Sequence, residues 1–214
     1  MELFVLLLIV PAALSAFDEF WITPCGHVYK KTVHPLRVVR NAQTLLRLKH
    51  QFKTAHEFFV DNDQLGILED LVQPEDSKND PYVVQDSTLD LYNNIHDVKR
   101  LMSLLPMTYR TLQDLAFALK IVHDELATKE NEEFKKRHGA VTELMDRNAL
   151  LLCELDFAMN RNNIDFSRID QLTMSQSVMM DFKDLTFTHI KHSRILKEYR
   201  TFIKHVSAHI MKLV

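Results

Sequence analysis

The amino-acid sequence predicts an all-α protein, an antiparallel bundle of four main helices with long C-terminal helices. The first observation is the scarcity of helix-breaking residues: the 214-residue chain has three glycines, and all six prolines lie at or before Pro106. Phosphate-binding loops, tight β-hairpins and βαβ crossovers need glycine where φ is positive or where the backbone approaches a ligand closely. The second observation is that apolar residues recur at spacings of three and four along most of the chain. Together they disfavour a nucleotide-binding α/β enzyme and a β-sandwich.

The first 16 residues have the pattern of a cleaved secretory signal peptide. An unbroken apolar run, Leu3–Val10, is followed by the small residues that a signal peptidase requires. The alternative, a membrane anchor, needs about 20 apolar residues, and no later stretch is long and apolar enough to span a bilayer. We therefore expect a secreted, extracellular protein with no transmembrane segment in the mature chain. It would comprise a signal peptide (1–16), an N-terminal strap (17–34) and a single helical-bundle domain (35–214).

The chain has two cysteines, Cys25 and Cys153. Because an exported chain passes through an oxidising compartment, one intramolecular disulfide is the simplest expectation. This disulfide would tie the N-terminal strap to the helical body. The alternatives are two buried free thiols or an intermolecular bridge.

The first helix is predicted over 36–60. Pro35 lies where a helix-opening proline is tolerated. Apolar residues follow at spacings of three, four and seven: Val38, Ala42, Leu45, Phe52 and Phe59. A polar stretch with two prolines at 73–81 is then typical of a loop.

The second helix is predicted over 88–105. Ser87–Asp90 has the form of a capping box at its start. An apolar stripe continues at alternating spacings of four and three: Leu91, Ile95, Val98, Met102 and Leu105. Pro106 is expected to end this helix, because proline lacks a backbone N–H and its ring clashes with the preceding turn.

A third helical segment is predicted over 108–160, with Thr108 as its N-cap. Its middle, Lys129–Gly139, is highly charged and contains one aromatic residue. This stretch is either the solvated middle of one long helix, kinked near its glycine, or a break that makes two helices. The i,i+4 pairing of opposite charges, as in Glu132 with Lys136, favours continuity.

The last helix is predicted to open at Ser167, after a short turn at 160–163. Its stripe keeps a strict alternation of three and four across ten positions: Phe182, Leu185, His189, His192, Leu196, Tyr199, Ile203, Val206, Ile210 and Leu213. A 3.5-residue period sustained over this length implies left-handed supercoiling against partner helices.

Eleven histidines invite a metal-site hypothesis, but their spacing argues against one. His189/His192 and His205/His209 can each share a helix face, yet the two pairs face largely opposite ways. No nearby acid or cysteine completes either pair to the three or four ligands that zinc takes. We therefore expect no metal and no cofactor. No Gly-x-Ser-x-Gly or His-Glu-x-x-His pattern occurs, so no catalytic residue and no enzymatic activity are predicted.

His189 and His192 stand out because they lie within the apolar stripe of the last helix. One interpretation is that they are partly buried imidazoles hydrogen-bonded to a neighbouring helix. The sharper hypothesis is a pH-sensitive core, in which protonation near about pH 6 places charge in the interior and loosens the helix.

Charge is segregated along the chain, although the net charge is only −3. Eleven acids lie between Glu57 and Asp97, whereas the last helix carries a basic face opposite its apolar stripe: Lys191, Arg194, Lys197, Arg200 and Lys204. We interpret this face as a candidate docking surface for an acidic extracellular protein, such as a cell-surface receptor, or for a sulfated glycan. The alternative is a solvated face partly neutralised by the acidic segment. A pI near 6.4 and the lack of a nucleic-acid-binding motif argue against a nucleic-acid partner.

Two neighbouring stretches carry a resemblance to a known family. In Asn93–Leu101 an acidic residue, an aliphatic residue, a basic pair and a leucine follow in order, and Tyr109–Phe117 contains an aromatic residue, Arg-Thr and Leu-Ala-aromatic. This region resembles the central part of the small secreted proteins called family with sequence similarity 180. The chain departs from that pattern by its long C-terminal helix and by Tyr92, where the family has a cysteine. The resemblance implies a secreted helical protein and carries no established activity.

The sequence thus predicts a secreted, non-enzymatic interaction or signalling factor. The alternative is a secreted carrier of an apolar small molecule or lipid, with the phenylalanines and Met174–Met180 lining a cavity in the bundle. A helical cytokine offers an analogy, but its up-up-down-down arrangement needs two long crossovers. The first connector is long enough, whereas the turn at 160–163 is short. An extended loop at 128–140 would therefore favour the analogy, and a continuous helix would weaken it.

Overall fold

The computed structural model describes residues 21, 24–25, 37–62, 65, 84–164 and 188–213. These residues contain no strand, which confirms the all-α prediction. The helices in chain order are α1 (Arg37–Asp61), α2 (Asp86–Asn93), α3 (Val98–Ala127), α4 (Glu132–Arg161) and α5 (Thr188–Ile210). Of these helices, none has the length and apolar character of a membrane span. The predicted signal peptide, most of the strap and the predicted helix start at Ser167 lie outside the described residues.

The bundle is built from α1 and α3, each of which packs against both α4 and α5. Contacts at two levels give the direction of α1 relative to α4. Arg47, early in α1, lies 3.4 Å from a carboxylate oxygen of Glu154, late in α4. Near the other end of α1, the Phe58 ring lies 4.4 Å from the guanidinium carbon of Arg147. These two helices are therefore antiparallel.

The last helix, α5, also runs antiparallel to α1. Phe59, near the end of α1, stacks on Tyr199 with ring centroids 6.3 Å apart. Lys49, almost three turns earlier in α1, donates a hydrogen bond to the carbonyl oxygen of Leu213, just beyond the end of α5. Progress along α1 thus corresponds to movement backwards along α5.

The two central helices, α3 and α4, form a tight hairpin. A short turn at 128–131 joins them. Asn148, which is fully buried in the middle of α4, donates a hydrogen bond of 3.3 Å to the carbonyl oxygen of Leu112 in the middle of α3. A polar side chain thus lies satisfied inside the apolar interface.

Contacts at both ends of α3 give its direction relative to α5. Near the end of α3, Glu125 hydrogen-bonds His192, close to the start of α5, at 2.5 Å. Near the start of α3, Thr108 lies 2.6 Å from the Tyr92 hydroxyl, and the Tyr92 ring meets Phe202 edge-on at 6.0 Å. The helices α3 and α5 are therefore antiparallel, and α2 packs beside them against α5.

The helices α1 and α3 thus run in one direction, and α4 and α5 run in the other. This is an up-up-down-down arrangement, in which long stretches of chain must join the parallel helices. Residues 62–97, which include α2, join α1 to α3, and residues 162–187 join α4 to α5. The turn at 128–131 is the one short link among the four bundle helices.

The prediction of one helix over 88–105 is wrong. The first part, α2, ends at Asn93, and a second helix, α3, begins at Val98. Asp97 caps α3, because its carboxylate accepts a hydrogen bond from the backbone N–H of Arg100 at 2.7 Å. The predicted capping box is also wrong, since the N-cap of α2 makes no side-chain hydrogen bond to the helix backbone. The actual cap lies ten residues further along the chain.

Pro106 lies inside α3 and does not end a helix. Its neighbours Leu105 and Tyr109 are at most 1% exposed, so the burial of this face outweighs the cost of a mid-helix proline, about 3 kcal/mol. Thr108 was expected at an N-cap but is buried in the same part of α3. Its hydroxyl bonds the Leu104 carbonyl oxygen one turn earlier, at 2.9 Å, and therefore caps nothing.

The charged stretch 129–139 is not one continuous helix, which corrects the prediction. The chain begins α4 after Asn131, an N-cap whose side-chain oxygen accepts a hydrogen bond from the Glu133 backbone N–H at 2.8 Å. The charge pairs that favoured continuity, such as Arg137 with Glu133, lie within α4 and stabilise only that helix. Gly139 also lies within α4. The break therefore falls at the start of the stretch, at 128–131, and not at its glycine.

The core is formed by the apolar faces of all five helices. Its fully buried members include Leu48, Phe52, Tyr92, Leu105, Leu112, Leu119, Leu144, Leu151, Leu155, Tyr199, Phe202 and Ile203. The stripe predicted for the last helix is confirmed from Leu196 to Leu213, while Phe182 and Leu185 lie outside the described residues. Two predicted core positions are wrong: Ala42 is exposed, and Leu91 is 37% exposed. Both lie on the side of a helix that no other described helix covers.

The described part of the strap is fixed to the bundle at two points. The sulfur atoms of Cys25 and Cys153 are 2.10 Å apart, which is the predicted disulfide, and they join the strap to α4. Trp21 is 2% exposed and packs edge-on against Phe117 of α3 at 5.6 Å. Its backbone carbonyl accepts a hydrogen bond of 2.6 Å from the amide of Gln113. The strap thus bridges the α3–α4 hairpin.

Replacing Cys25 and Cys153 together with serine is expected to lower the free energy of unfolding by up to about 5 kcal/mol, because the bond closes a loop with a sequence separation of 128. Urea denaturation followed by circular dichroism measures this change. Trp21 is the only tryptophan, so its fluorescence reports separately on release of the strap. Equal unfolding midpoints for the oxidised protein and the variant would contradict the prediction.

Asp114 introduces a pH dependence into α3. Its side chain is partly buried, and desolvation raises its pKa from near 3.8 to about 6, although Arg110 one turn earlier acts to lower it. A carboxyl group whose pKa is higher in the folded state than in the unfolded chain favours folding when it is protonated. Its contribution to stability is therefore present below its ordinary pKa and is lost as the pH rises through about 6.

Asp114→Asn is expected to raise the free energy of unfolding at about pH 7.5 by roughly 1 to 3 kcal/mol, with a smaller gain at about pH 4.5. Thermal unfolding at a series of pH values measures the difference. Asp146→Asn, which changes an exposed carboxyl on α4, is the matched control and should leave the profile unchanged. A gain of equal size at both pH values would show that ionisation of the Asp114 carboxyl does not cause the effect.

Candidate interaction site

The structure divides the predicted basic face of the last helix. Lys197 and Lys204 are exposed, and Lys191 and Arg200 are partly buried. Arg194 is only 9% exposed, which removes it from the predicted docking surface. The cause is that residues 192–196 are all buried, so the bundle covers every side of α5 at this level. The continuous accessible part of the basic face therefore begins at Lys197, and the buried residues 192–196 separate Lys191 from it.

The exposed basic residues border a shallow, open groove along α5. Its volume is about 520 Å³, and its lining is Lys197, Arg200, Thr201, Lys204, His205 and Ala208. These positions form two neighbouring rows along α5, each with spacings of three and four residues. They therefore share one helix face over about 16 Å of helix length. No acidic residue and no large apolar residue belongs to the lining.

Contacts with α1 position the middle of the groove. The guanidinium carbon of Arg200 lies 5.7 Å from the centre of the Phe59 ring, which holds the side chain by a cation–π contact. Burial lowers the pKa of His56 in α1, and the positive charges of Lys204 and Arg200 lower it further, while Glu57 opposes the shift. The positive potential of the groove therefore extends onto α1.

His205 forms the other wall of the groove, toward α2. Its Nε2 donates a hydrogen bond of 2.9 Å to the carbonyl oxygen of Leu89. Burial lowers its pKa, the bond to Leu89 and the charge of Asp90 raise it, and His209 and Lys212 lower it. A backbone carbonyl thus holds the imidazole of His205 in place. One turn further along, outside the lining, His209 donates a hydrogen bond of 2.8 Å to the carbonyl oxygen of His205.

The acid on α5 does not contribute to the groove. Glu198 is the only acidic residue in the helix, and its carboxylate accepts a hydrogen bond of 3.0 Å from the backbone N–H of Val84 before α2. Burial raises the pKa of this carboxyl, and the same hydrogen bond acts to lower it. This carboxylate therefore binds the segment that precedes α2.

The structure places His192, one of the two histidines in the apolar stripe, beside a carboxylate of α3. The side chain of His189 lies outside the described residues, but His192 is 2% exposed and its Nε2 lies 2.5 Å from a carboxylate oxygen of Glu125. A protonated imidazole at this position would meet a carboxylate and not an apolar wall. His192 thus agrees with the first interpretation, a buried imidazole hydrogen-bonded to a neighbouring helix, and the pH-sensitive core stays a prediction.

A second histidine pair, which the sequence analysis missed, lies beside the turn between α3 and α4. The rings of His123 and His138 are 4.2 Å apart, and Nδ1 of His123 lies 3.1 Å from Asp124. Burial and the neighbouring His123 lower the pKa of His138. The two histidines are on different helices, so only the position of the turn could have brought them together. In the described part of the chain, no three potential ligands are grouped to hold a metal ion.

The phenylalanines of the carrier alternative are distributed through the core. Phe52, Phe59 and Phe202 are at most 2% exposed and pack against other helices, while Met174–Met180 lies outside the described residues. The groove on α5 is lined by polar and charged side chains and is open to solvent. The described concave surface is thus suited to an anionic group and not to a lipid tail.

Comparison with known proteins returned no matching family model, no matching curated protein and no matching solved structure. The class of the protein is therefore defined by its own architecture, an up-up-down-down bundle with a basic groove on its last helix. The similarity to the family with sequence similarity 180 stays a prediction from the two motifs.

Glu125→Gln is expected to lower the thermal midpoint more at about pH 5.5 than at about pH 7.5. The amide still accepts a hydrogen bond from a neutral His192, but it provides no negative charge for a protonated one. Differential scanning calorimetry at the two pH values measures the effect. The matched control is Glu143→Gln, an exposed carboxylate on α4 that pairs with Arg147. A larger loss at the higher pH would refute the assigned role of the contact.

Proposed function

We propose that this protein is a secreted, non-enzymatic signalling factor that acts by binding an anionic extracellular partner through the groove on α5. The observation that carries the proposal is the topology. The parallel helices α1 and α3, joined by residues 62–97, and the parallel helices α4 and α5, joined by residues 162–187, form the up-up-down-down arrangement of growth hormone and cytokine bundles. The inference from fold to signalling is an analogy, so the binding surface must supply its own support.

The export of the protein rests on its N-terminal sequence and its cysteines. The apolar run Leu3–Val10 has the length of the apolar region of a signal peptide and is followed by the small residues that cleavage requires. Both cysteines of the chain are used in the disulfide between Cys25 and Cys153, a bond that persists in oxidising compartments. These two features agree with each other and with an extracellular site of action.

The rigidity and the positive charge of the groove on α5 support its role as a binding surface. The groove lies on a helix that the bundle core holds in place, so its cations are presented in a fixed row. Such a row attracts an anionic partner over the Debye length, about 8 Å at physiological salt, and speeds its association. Recognition by a helix face needs no mobile loop, in agreement with a chain that has almost no glycine.

Binding of the mature protein to cultured cells tests this proposal. The double variant Lys197→Glu and Lys204→Glu is expected to lower the affinity at least about tenfold, because it reverses two charges of the groove. Both residues are exposed, so the fold should be retained. The matched control, Lys99→Glu with Lys129→Glu, changes the net charge equally at exposed sites on α3 and the following turn.

Two outcomes would contradict the proposal. Equal losses for the groove variant and the control would show that only net charge matters. Absence of saturable binding to any cell type would remove the signalling role itself. Native mass spectrometry of the same preparation tests the carrier alternative, since a bound lipid mass would favour it over the proposed function.

A further inference from the structure

We propose that the groove on α5 is a binding site for sulfated glycans, with Lys197, Arg200 and Lys204 contacting successive sulfate groups. This inference deepens the proposed function, because it names the anionic partner that the groove takes.

The row of cations matches a linear polyanion. Lys197, Arg200 and Lys204 follow one another at three- and four-residue spacings on a single helix face. A sulfated polysaccharide carries its charges at regular intervals along an extended chain, so one chain lying along α5 meets all three cations. A single carboxylate or phosphate is too small to reach all three of them.

The composition of the lining distinguishes a glycan from a protein partner. Protein interfaces depend on buried aromatic or aliphatic anchors surrounded by a polar rim. The groove offers none, because Thr201, His205 and Ala208 complete its lining beside the three cations. A hydroxyl and an imidazole are instead partners for sugar hydroxyls and sulfate oxygens. The surface has the charge and hydrogen-bonding groups of a carbohydrate site without the anchors of a protein site.

In the part of the chain that the structure describes, the acidic side chains near the groove interact with other groups. Glu198 bonds the Val84 backbone on the side of α2. Glu57 of α1 lies 3.5 Å from Lys53, in an i,i+4 pair. Asp90 of α2 acts on His205 electrostatically and is not part of the lining. A sulfate entering the groove therefore meets cations first.

Two imidazoles make the binding sensitive to pH. His205 lines the groove, facing Leu89 and Asp90 of α2 and His209 and Lys212 of its own helix end, and its pKa is lowered in the free protein. His56 of α1 faces Arg200, Lys204 and Glu57, and its pKa is lowered too. A bound polyanion offsets the surrounding positive charges and so favours protonation of both rings. Binding should therefore tighten as the pH falls from about 7.5 to about 5.5.

Isothermal titration of the purified full chain with a heparin octasaccharide tests the site, with the chemically desulfated octasaccharide as the control ligand. Wild-type protein is expected to bind the sulfated chain at least about tenfold more tightly than the desulfated one, and to lose affinity as salt is raised. Lys197→Gln with Lys204→Gln should lower the affinity at least about tenfold, whereas Lys99→Gln with Lys129→Gln should leave it within about twofold. Unchanged thermal midpoints confirm that both variants are folded.

Equal binding of the two octasaccharides, or equal losses for the two double variants, would overturn the glycan site. Cell binding with and without surface glycosaminoglycans separates this inference from the proposed function. Binding that persists on glycan-deficient cells and still depends on Lys197 and Lys204 would assign the groove to an acidic protein, which overturns the glycan site and leaves the signalling proposal standing. If the protein no longer binds glycan-deficient cells, while its affinity for the octasaccharide in solution is unchanged, the result supports the glycan site.

Discussion

The burial of α5 is the constraint on which the rest of the molecule depends. This helix packs against α1, α2 and α3, and Tyr199, Phe202 and Ile203 in its middle are fully buried. Because three elements converge on α5, this helix fixes the position of α2 and, together with α4, the position of α1 relative to α3. The same packing limits the solvent-facing part of α5 to one narrow strip. The position of the basic groove is therefore a consequence of the core and not of a separate loop.

The long helices with a regular apolar period could be predicted from the sequence, whereas the helix end near Pro106 and the turn before Glu132 could not. The limits of α1 differ from the predicted helix by one residue at each end, and the stripe of α5 is buried from Leu196 onward, because periodic burial sums over many residues. Pro106 misled the prediction since the core contacts of Leu105 and Tyr109 outweigh a local cost. Asn131 was missed as a cap because the charge pairs that follow it fit one long helix as well as a helix that begins at Glu132. These two errors concealed the up-up-down-down topology. The first placed a helix end at Pro106, inside α3, and the second left out the turn between α3 and α4.

The same distinction explains what could be foreseen of the site. Lys197, Arg200 and Lys204 share a helix face by spacing alone, so the basic face was visible in the sequence. Burial of Arg194 and the contact of His192 with Glu125 depend on which neighbouring element covers each side chain. Periodicity within one helix contains no such information. The proximity of His56 to the same cations likewise requires the pairing of α1 with α5.

The exposure of the groove determines how it can bind. Lys197 and Lys204 are solvated, and a single ion pair at such a position contributes at most about 1 kcal/mol and is screened by salt. No buried anchor compensates, because the lining lacks a large apolar side chain. Useful affinity must then come from several weak contacts made by one partner, whose second and third charges are delivered at high effective concentration once the first is bound. Such a surface discriminates between partners by the number and spacing of their charges. A rigid helix, held on three sides by its own bundle, can present its cations at fixed spacing without rearrangement.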